Sequence, residues 1–398
     1  MKAWKLSLLA AATMSSAAYA TEPMGIEMGS GVKLLPSVEL SISDSDNIYN
    51  QDSSEAVSSS ITRLKPALAV NVDLGSTAVD GLVKGDFGQF SKDDHDDYSD
   101  MLYQAGVRSS LNSRNAVTAS AKLNQGHDDR GSGTLEGSEA TNTARPDQYD
   151  ETVYDLSYIY GAKSSMLNAN VALQQMDKEY QNNRDVTSDR DHSKTKLSAR
   201  LDVTVSSATK AVVEIRNTEV SYDNSSSIAA DGSILNTLVG ASWDITGKTT
   251  GEVKLGMSDR KFDDSAKDAD NRFSWEANVT FSPKSYSVIT LTTSQLVNET
   301  SSATLGTYIA SEYSAVNWTH TFSPFVALKV DASLSSDEYV DASNGRKDDV
   351  TGFGISGVFS PSKNIDVTLG YNKSKRDSNI SGLDYDKNVI ALTLSAAI

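Results

Sequence analysis

The chain predicts an all-β fold: a transmembrane, antiparallel, up-and-down β-barrel of about 18 strands, with 16 as the competing count. Short periplasmic turns and long acidic extracellular loops would join the strands. Three observations predict this. Apolar and polar residues alternate with period two through segment after segment. The alternating runs reach roughly a dozen residues, against the ~5–6 usual in soluble sheets. Connections alternate strictly between short and long.

The opening residues come first. "MKAWKLSLLAAATMSSAAYA" (1–20) carries Lys2 and Lys5, a short apolar run and Ala18-Tyr19-Ala20, which is the pattern of a secretory signal peptide with a small-x-small cleavage site. The expected organisation is a signal peptide over 1–20, an N-terminal segment over 21–31, and the barrel over 32–398. Of the 398 residues, 36 are Lys or Arg and 53 are Asp or Glu, giving a net charge of −17. Phosphates would be repelled by that balance, so nucleic acid is not an expected partner. The absence of cysteine excludes disulfides and thiolate metal sites. Beyond the leader, no run of ~18 apolar residues suggests a membrane-spanning helix.

The strands follow. In "FSWEANVTF" (273–281), Phe273, Trp275, Ala277, Val279 and Phe281 point one way, and Ser274, Glu276, Asn278 and Thr280 the other. "KLSARLDVTV" (196–205), "VALKVDASL" (326–334), "NIDVTLGY" (364–371), "MLNANVAL" (166–173) and "GEVKLGM" (251–257) repeat the pattern. Soluble sandwiches also alternate, but here the polar face carries both signs of charge, as a water-filled lumen would. Short connections centre near 74–76, 111–114, 161–164, 206–209, 245–249, 282–285, 322–325 and 360–363. Three of them carry "FSP" (281–283, 322–324, 359–361), where proline is expected to end a strand and start a turn. Eight hairpins plus one strand at each end make eighteen, with both termini on the short-turn side.

Aromatic residues suggest two belts at the lipid–water interfaces. Tyr160, Trp243, Phe281, Trp318 and Phe359 lie near short turns; Phe90, Tyr180, Tyr222, Phe262 and Tyr339 lie near long loops. Closing the sheet would satisfy every backbone group in lipid.

Four stretches carry a family likeness: "HDDRGSGT" (127–134), "KTTGEVKLG" (248–256), "FSWEANVTFSPKSYS" (273–287) and "RDSNISGLDYDKNV" (376–389). They resemble the outer-membrane β-barrel porin family linked to exopolysaccharide export in Gram-negative bacteria. The resemblance implies an integral barrel that passes a secreted polysaccharide through the outer membrane. It also implies two periplasmic partners, a polysaccharide-export protein and a co-polymerase. Outer-membrane lipid and lipopolysaccharide are the expected surroundings. One departure is the end "LTLSAAI", where such barrels commonly finish on an aromatic residue.

The chemistry-bearing motifs fall within this frame. "KDDHDDYSD" (92–100) packs five aspartates around His95, but it falls in a long loop, and "SDSDN" (43–47), "DDSAKDAD" (263–270) and "DEYVDASNGRKDD" (337–349) are acidic too. It lacks the ordered glycine-containing calcium loop, and a solvated acidic rim accounts for it. His95, His127 and His192 sit among aspartates at loop ends, the ingredients of a surface protease, yet nothing fixes their mutual orientation. "TGKTTG" (246–251) mimics part of a phosphate loop, but Ser242 stands where the first glycine should be. No catalytic, metal or cofactor residue is therefore assigned, and no enzyme activity is expected.

The working surface expected is the inward phase of the strands. Its candidates for a glycan path are Arg63, Lys65, Arg108, Lys122, Lys196, Arg200, Arg216, Lys254, Glu276 and Lys329, interleaved with acidic residues such as Asp155, Asp202, Glu214 and Glu252. Cross-strand pairing that merely stiffens the wall is the plain alternative for any one of them. The residues 127–147 form the longest loop and the best candidate for an inward-folding gate. Polysaccharide export is the leading function, a general diffusion porin for small solutes the second, and a surface protease the third.

Overall fold

Eighteen long strands form one closed antiparallel ring in the computed structural model, which describes residues 25–141, 145–162, 164–224, 231–245, 247–300 and 306–398. The expected signal peptide, 1–20, lies outside the described residues. A two-residue strand, β1 (Ile26–Glu27), pairs with the start of β2 (Val32–Ser45) and stands outside the ring. The ring then runs β3 (Ser59–Asp73), β4 (Thr77–Phe90), β5 (Tyr98–Ser110), β6 (Asn115–His127), β7 (Gln148–Tyr160), β8 (Leu167–Tyr180) and β9 (His192–Ser206). It continues through β10 (Thr209–Tyr222), β11 (Gly232–Ile245), β12 (Thr249–Phe262), β13 (Asp270–Lys284) and β14 (Ser287–Asn298). The last strands are β15 (Tyr308–Ser323), β16 (Val326–Val340), β17 (Lys347–Ser362), β18 (Ile365–Ser378) and β19 (Tyr385–Ala397). Each strand pairs with its chain neighbours, and β19 closes on β2 from Val389↔Ser45 to Ala397↔Ser37. An even number of strands is what lets that last seam be antiparallel.

Eight short turns lie at one end of the ring and nine longer connections at the other; all eight expected turns are present, those expected at 282–285 and 360–363 falling instead at 285–286 and 363–364. Two of the three "FSP" sites need a correction. Pro283 and Pro361 lie within the ends of β13 and β17, not beyond them. The ladder shifts register between Phe281 and Lys284 and between Phe359 and Ser362, so each proline sits in a bulge where no ladder donor is required. Pro324 does occupy the turn between β15 and β16, beside a third shift between Thr321 and Ser323.

The alternation turns apolar side chains outward. Leu64 and Leu68 of β3, Leu197 and Leu201 of β9, Leu255 of β12 and Leu392 and Leu394 of β19 are all exposed. In water such a band would be an aggregation surface; around a closed barrel it is the lipid-facing wall. Tyr160, Phe281 and Phe359 are exposed near the short turns, as an interfacial belt requires.

The second expected belt is overturned. Tyr180 and Tyr222 are only 2 % and 6 % exposed. Phe90, Tyr180, Tyr222, Phe262 and Tyr339 all share the phase of the lumen side chains. Phe90 packs against a buried cluster of Ile48, Tyr49, Ile61 and Ala140, and Arg190, Arg260 and Arg346 lie over Tyr180, Phe262 and Tyr339. These rings form an inner packing layer at the long-loop mouth. Period two decides their direction, and distance from the turn does not.

Candidate functional site: the lumen and its mouth

The inner face announces itself by convergence. Side chains on the concave side of a ring can meet across intervening strands, and those on the convex side cannot. Arg200 on β9 reaches Glu252 on β12 at 2.6 Å, and Arg216 on β10 reaches Glu276 on β13 at 2.5 Å. Lys254 on β12 sits between Glu214 and Glu276, 2.7 Å from each, and is 5 % exposed. Asp202 completes the network at 2.7 Å from Arg200. Three cations and four carboxylates thus interlock along one part of the wall, and every charge but Asp202 is answered by more than one neighbour. Such pairing is what lets charges leave bulk water without a large penalty.

Lys65 lies 3.5 Å from Glu39 and 3.6 Å from Asp86, and Lys122 lies 2.7 Å from Glu151. Lys196, Arg108 and Lys329 occupy the phase opposite the exposed Leu197, Val107 and Leu334. Arg63 has the same phase at the mouth, 5.8 Å from the Tyr98 ring centroid. Arg200, Arg216, Lys254 and Glu276 are brought together; the others are spread round the ring.

Two elements fold into the mouth. The first is residues 128–147, joining β6 to β7 and called here the strap; its described residues include Leu135 and Ala140, exposed by only 4 % and 0 %. Glu136 lies 2.7 Å from Arg346, just before β17, and also pairs with Arg376 on β18, six strands from β6 round the ring. Arg130 is 2.5 Å from Asp96, and Arg190 binds Asp147 and Asp128 at 3.1 and 2.7 Å. Gly131 has φ 85°, and a Cβ there would stand 2.2 Å from the Tyr49 carbonyl oxygen, so glycine is required at that crossing. The strap is therefore where the sequence placed an inward-folding loop.

The second element left no mark in the sequence reading. The β13–β14 ladder stops at Glu276↔Ser294, while β14 stays paired to β15 as far as Asn298↔Ile309. Above Ser294, β14 leaves the wall and passes inside it. Val297 packs on Val220, Tyr222 and Ile234, which are lumen-facing residues of β10 and β11. Beyond it Glu299 accepts a hydrogen bond from the Tyr222 hydroxyl at 2.6 Å and lies 3.6 Å from both Lys194 and Arg260. Arg260, beside Glu299, is 1 % exposed. Phase does aim Tyr222 into the lumen, since it shares the parity of Glu214 and Arg216, but it does not reveal the tip that covers it.

The acidic rim is largely tied down by these arginines. His95 and its neighbours Asp93 and Asp94 do cluster, but in the open: His95 is half exposed, 2.8 Å from Asp93. Asp93 caps the short turn by accepting from the His95 amide at 3.0 Å, which holds its carboxyl below the usual range. His127 lies between Asp100 (2.9 Å) and Asp129 (3.3 Å), and His192 sits 2.7 Å from the Arg190 carbonyl oxygen. Each histidine thus has separate local partners.

Comparison with known proteins agrees with this architecture. Residues 19–398 match the family described as "Putative beta-barrel porin 2", and the chain belongs to that family. The FrpB iron transporter of Neisseria meningitidis is similar at 10% identity and TM-score 0.50, over 86% of this chain and 63% of that one. OccK3 (OpdO) of Pseudomonas aeruginosa gives 14% identity and TM-score 0.49 over 92% of this chain and 96% of that one. OpdK of the same organism gives 11% and 0.48 over 92% and 99%. At such identities the FrpB likeness is one of fold. No curated protein sequence matches. The protein is an outer-membrane β-barrel porin of a Gram-negative bacterium.

Proposed function

We propose that this porin is a conduit for a secreted polysaccharide leaving the cell. The observation that carries the reading is the interlocked network of Arg200, Asp202, Glu214, Arg216, Glu252, Lys254 and Glu276. Charges that answer one another present a polar, wet wall with no single deep trap. A sliding polar chain needs that wall, since conduction requires favourable entry without tight holding. The ten candidate residues would act as many shallow contacts, and hydroxyls and amides such as Asn168, Asn170, Ser198 and Thr280 would exchange hydrogen bonds with glycan hydroxyls. The family resemblance supplies the partners of this reading: a periplasmic polysaccharide-export protein and a co-polymerase, docking at the short turns.

A second reading is a general diffusion porin, favoured by the strap and the β14 tip, which narrow the mouth as a small-solute filter would. An in-frame deletion strain, scored against a complemented one, separates the two. Export predicts that surface polymer falls and returns on complementation. Unchanged polymer with slower uptake of small solutes would sink export and leave the diffusion porin.

A further inference from the structure

Beside the strap lies a partly open pocket of about 200 Å³, lined by residues of β2, β3, β4 and β19 and by Asp129 and Arg130 of the strap. Its charges do not balance. Arg130 is answered by Asp96 at 2.5 Å. Arg63 makes no ion pair among the described residues; its Nε is shut from solvent without a hydrogen-bond partner. Lys387, one strand beyond β2 on the other side, donates to Asn50 Oδ1 at 3.1 Å and likewise makes no ion pair among the described residues. The one carboxylate near both is Asp129, and it is shared with His127 at 3.3 Å. Asp46 also lies near Lys387, so Arg63, half-buried and with no ion pair among the described residues, is the cation that most favours one further negative charge.

We infer that this pocket binds a singly charged carboxylate carried on a hydroxyl-rich ring, the size and charge of one hexuronate unit, with Arg63 and Lys387 as its cations. The volume equals about seven water molecules at ~30 Å³ each, enough for one small ring and too little for a chain. The walls match such a ring's two characters. Ser43 and Ser45 offer hydroxyls, while Ile61, Tyr49 and Phe90 supply apolar lining. The inference rests on the conduit reading for its biological meaning, since it makes the carried polymer an acidic one; the binding site itself stands or falls separately.

The test is calorimetric titration of the full-length protein in detergent with D-glucuronate, D-glucose and acetate. Glucuronate is expected to bind saturably and at least tenfold more tightly than glucose or acetate, with affinity falling as salt rises. Arg63→Gln and Lys387→Gln are each expected to weaken it at least tenfold, and Lys248→Gln, in a short turn at the far end, to leave it unchanged. Retained heat-modifiable mobility on gels certifies that each variant is folded, and either of the two charge variants suffices alone. Absent glucuronate binding, equal binding of glucose, equal binding of acetate, or wild-type affinity in a folded Arg63→Gln or Lys387→Gln protein would each overturn the site. Loss of surface polymer on deletion, with no glucuronate binding, keeps the conduit and discards the pocket. Binding with unaltered polymer does the reverse.

Discussion

The strap and the β14 tip both narrow the mouth, yet they are held there by different physics. The strap is a loop whose grip is mainly electrostatic: Glu136 on Arg346 and Arg376, Arg130 on Asp96, Arg190 on Asp128 and Asp147. The tip is the end of a strand still paired along one edge, seated on an apolar cluster, with one buried carboxylate beneath it. A clasp of ion pairs can exchange its partners for water in steps. A strand end that shares its ladder with the wall moves only if the wall moves. The strap is therefore the mobile candidate of the two, and the tip the fixed one.

The comparison is broken most forcefully at Glu299. Removing it as Glu299→Ala strips a buried counter-charge from Lys194 and Arg260 and an acceptor from Tyr222, a loss of roughly 3 kcal/mol. The expected outcome is a lower unfolding midpoint on heated gels together with higher single-channel conductance. A raised conductance at an unchanged midpoint would mean that the tip is no part of the wall. Glu136→Gln comes next, at about 2 kcal/mol spread over two arginines, one of which keeps Asp348 at 2.5 Å. Here the midpoint should fall by less than for Glu299→Ala while open–closed fluctuations in planar bilayers become more frequent; a quiet channel would show that the strap does not gate.

A smaller effect sharpens the strap's anchoring. The Tyr49 hydroxyl donates to Asp96 at 3.0 Å, and burial, with that carboxylate beside it, pushes the phenol up to about 12. A raised folded value means the contribution is whole below the ordinary value near 10 and is lost as pH climbs through about 12. Alkaline current recordings should therefore show the strap loosening in that window, and Tyr49→Phe, costing about 1 kcal/mol, should remove the transition. The least effect is expected at Lys329→Gln: export by a complemented strain should stay within twofold, because shallow contacts are many. A tenfold fall would instead mark a single decisive site in the lumen.

The same two elements measure what the sequence made legible. Strand phase, turn positions and the strap could be read directly, because alternation, short connections and a long Gly-rich loop are local signals. Arg200, Arg216, Lys254 and Glu276 were placed on one face by that alternation, and the ring then gathered them across strands. The tip could not be read, since nothing within "SVITLTTSQLVN" (287–298) says that its partner strand ends early. The belt error at Tyr180 and Tyr222 has another cause: their height along the strand was weighed and their parity was not. Arg63 is lumen-facing by phase, but the second cation of its pocket, Lys387, lies more than 300 positions away and is brought near only by closure of β19 on β2.

The early end of the β13–β14 ladder also fixes a waterline. From Asp270 to Trp275 one edge of β13 has no backbone partner in β14, and a recess of about 530 Å³ opens outside it between Phe273, Trp275, Glu312 and Glu338. Hydrocarbon does not tolerate unpaired backbone or a cluster of carboxylates, so the lipid must stop below this level. Strands of 12 to 16 residues exceed the ~9–11 needed to cross a bilayer. The surplus stands clear of the membrane as a collar, and the strap, the tip and the rim arginines are housed within it. Whatever passes the mouth meets these elements in water, outside the low-dielectric slab, where salt and pH can reach them.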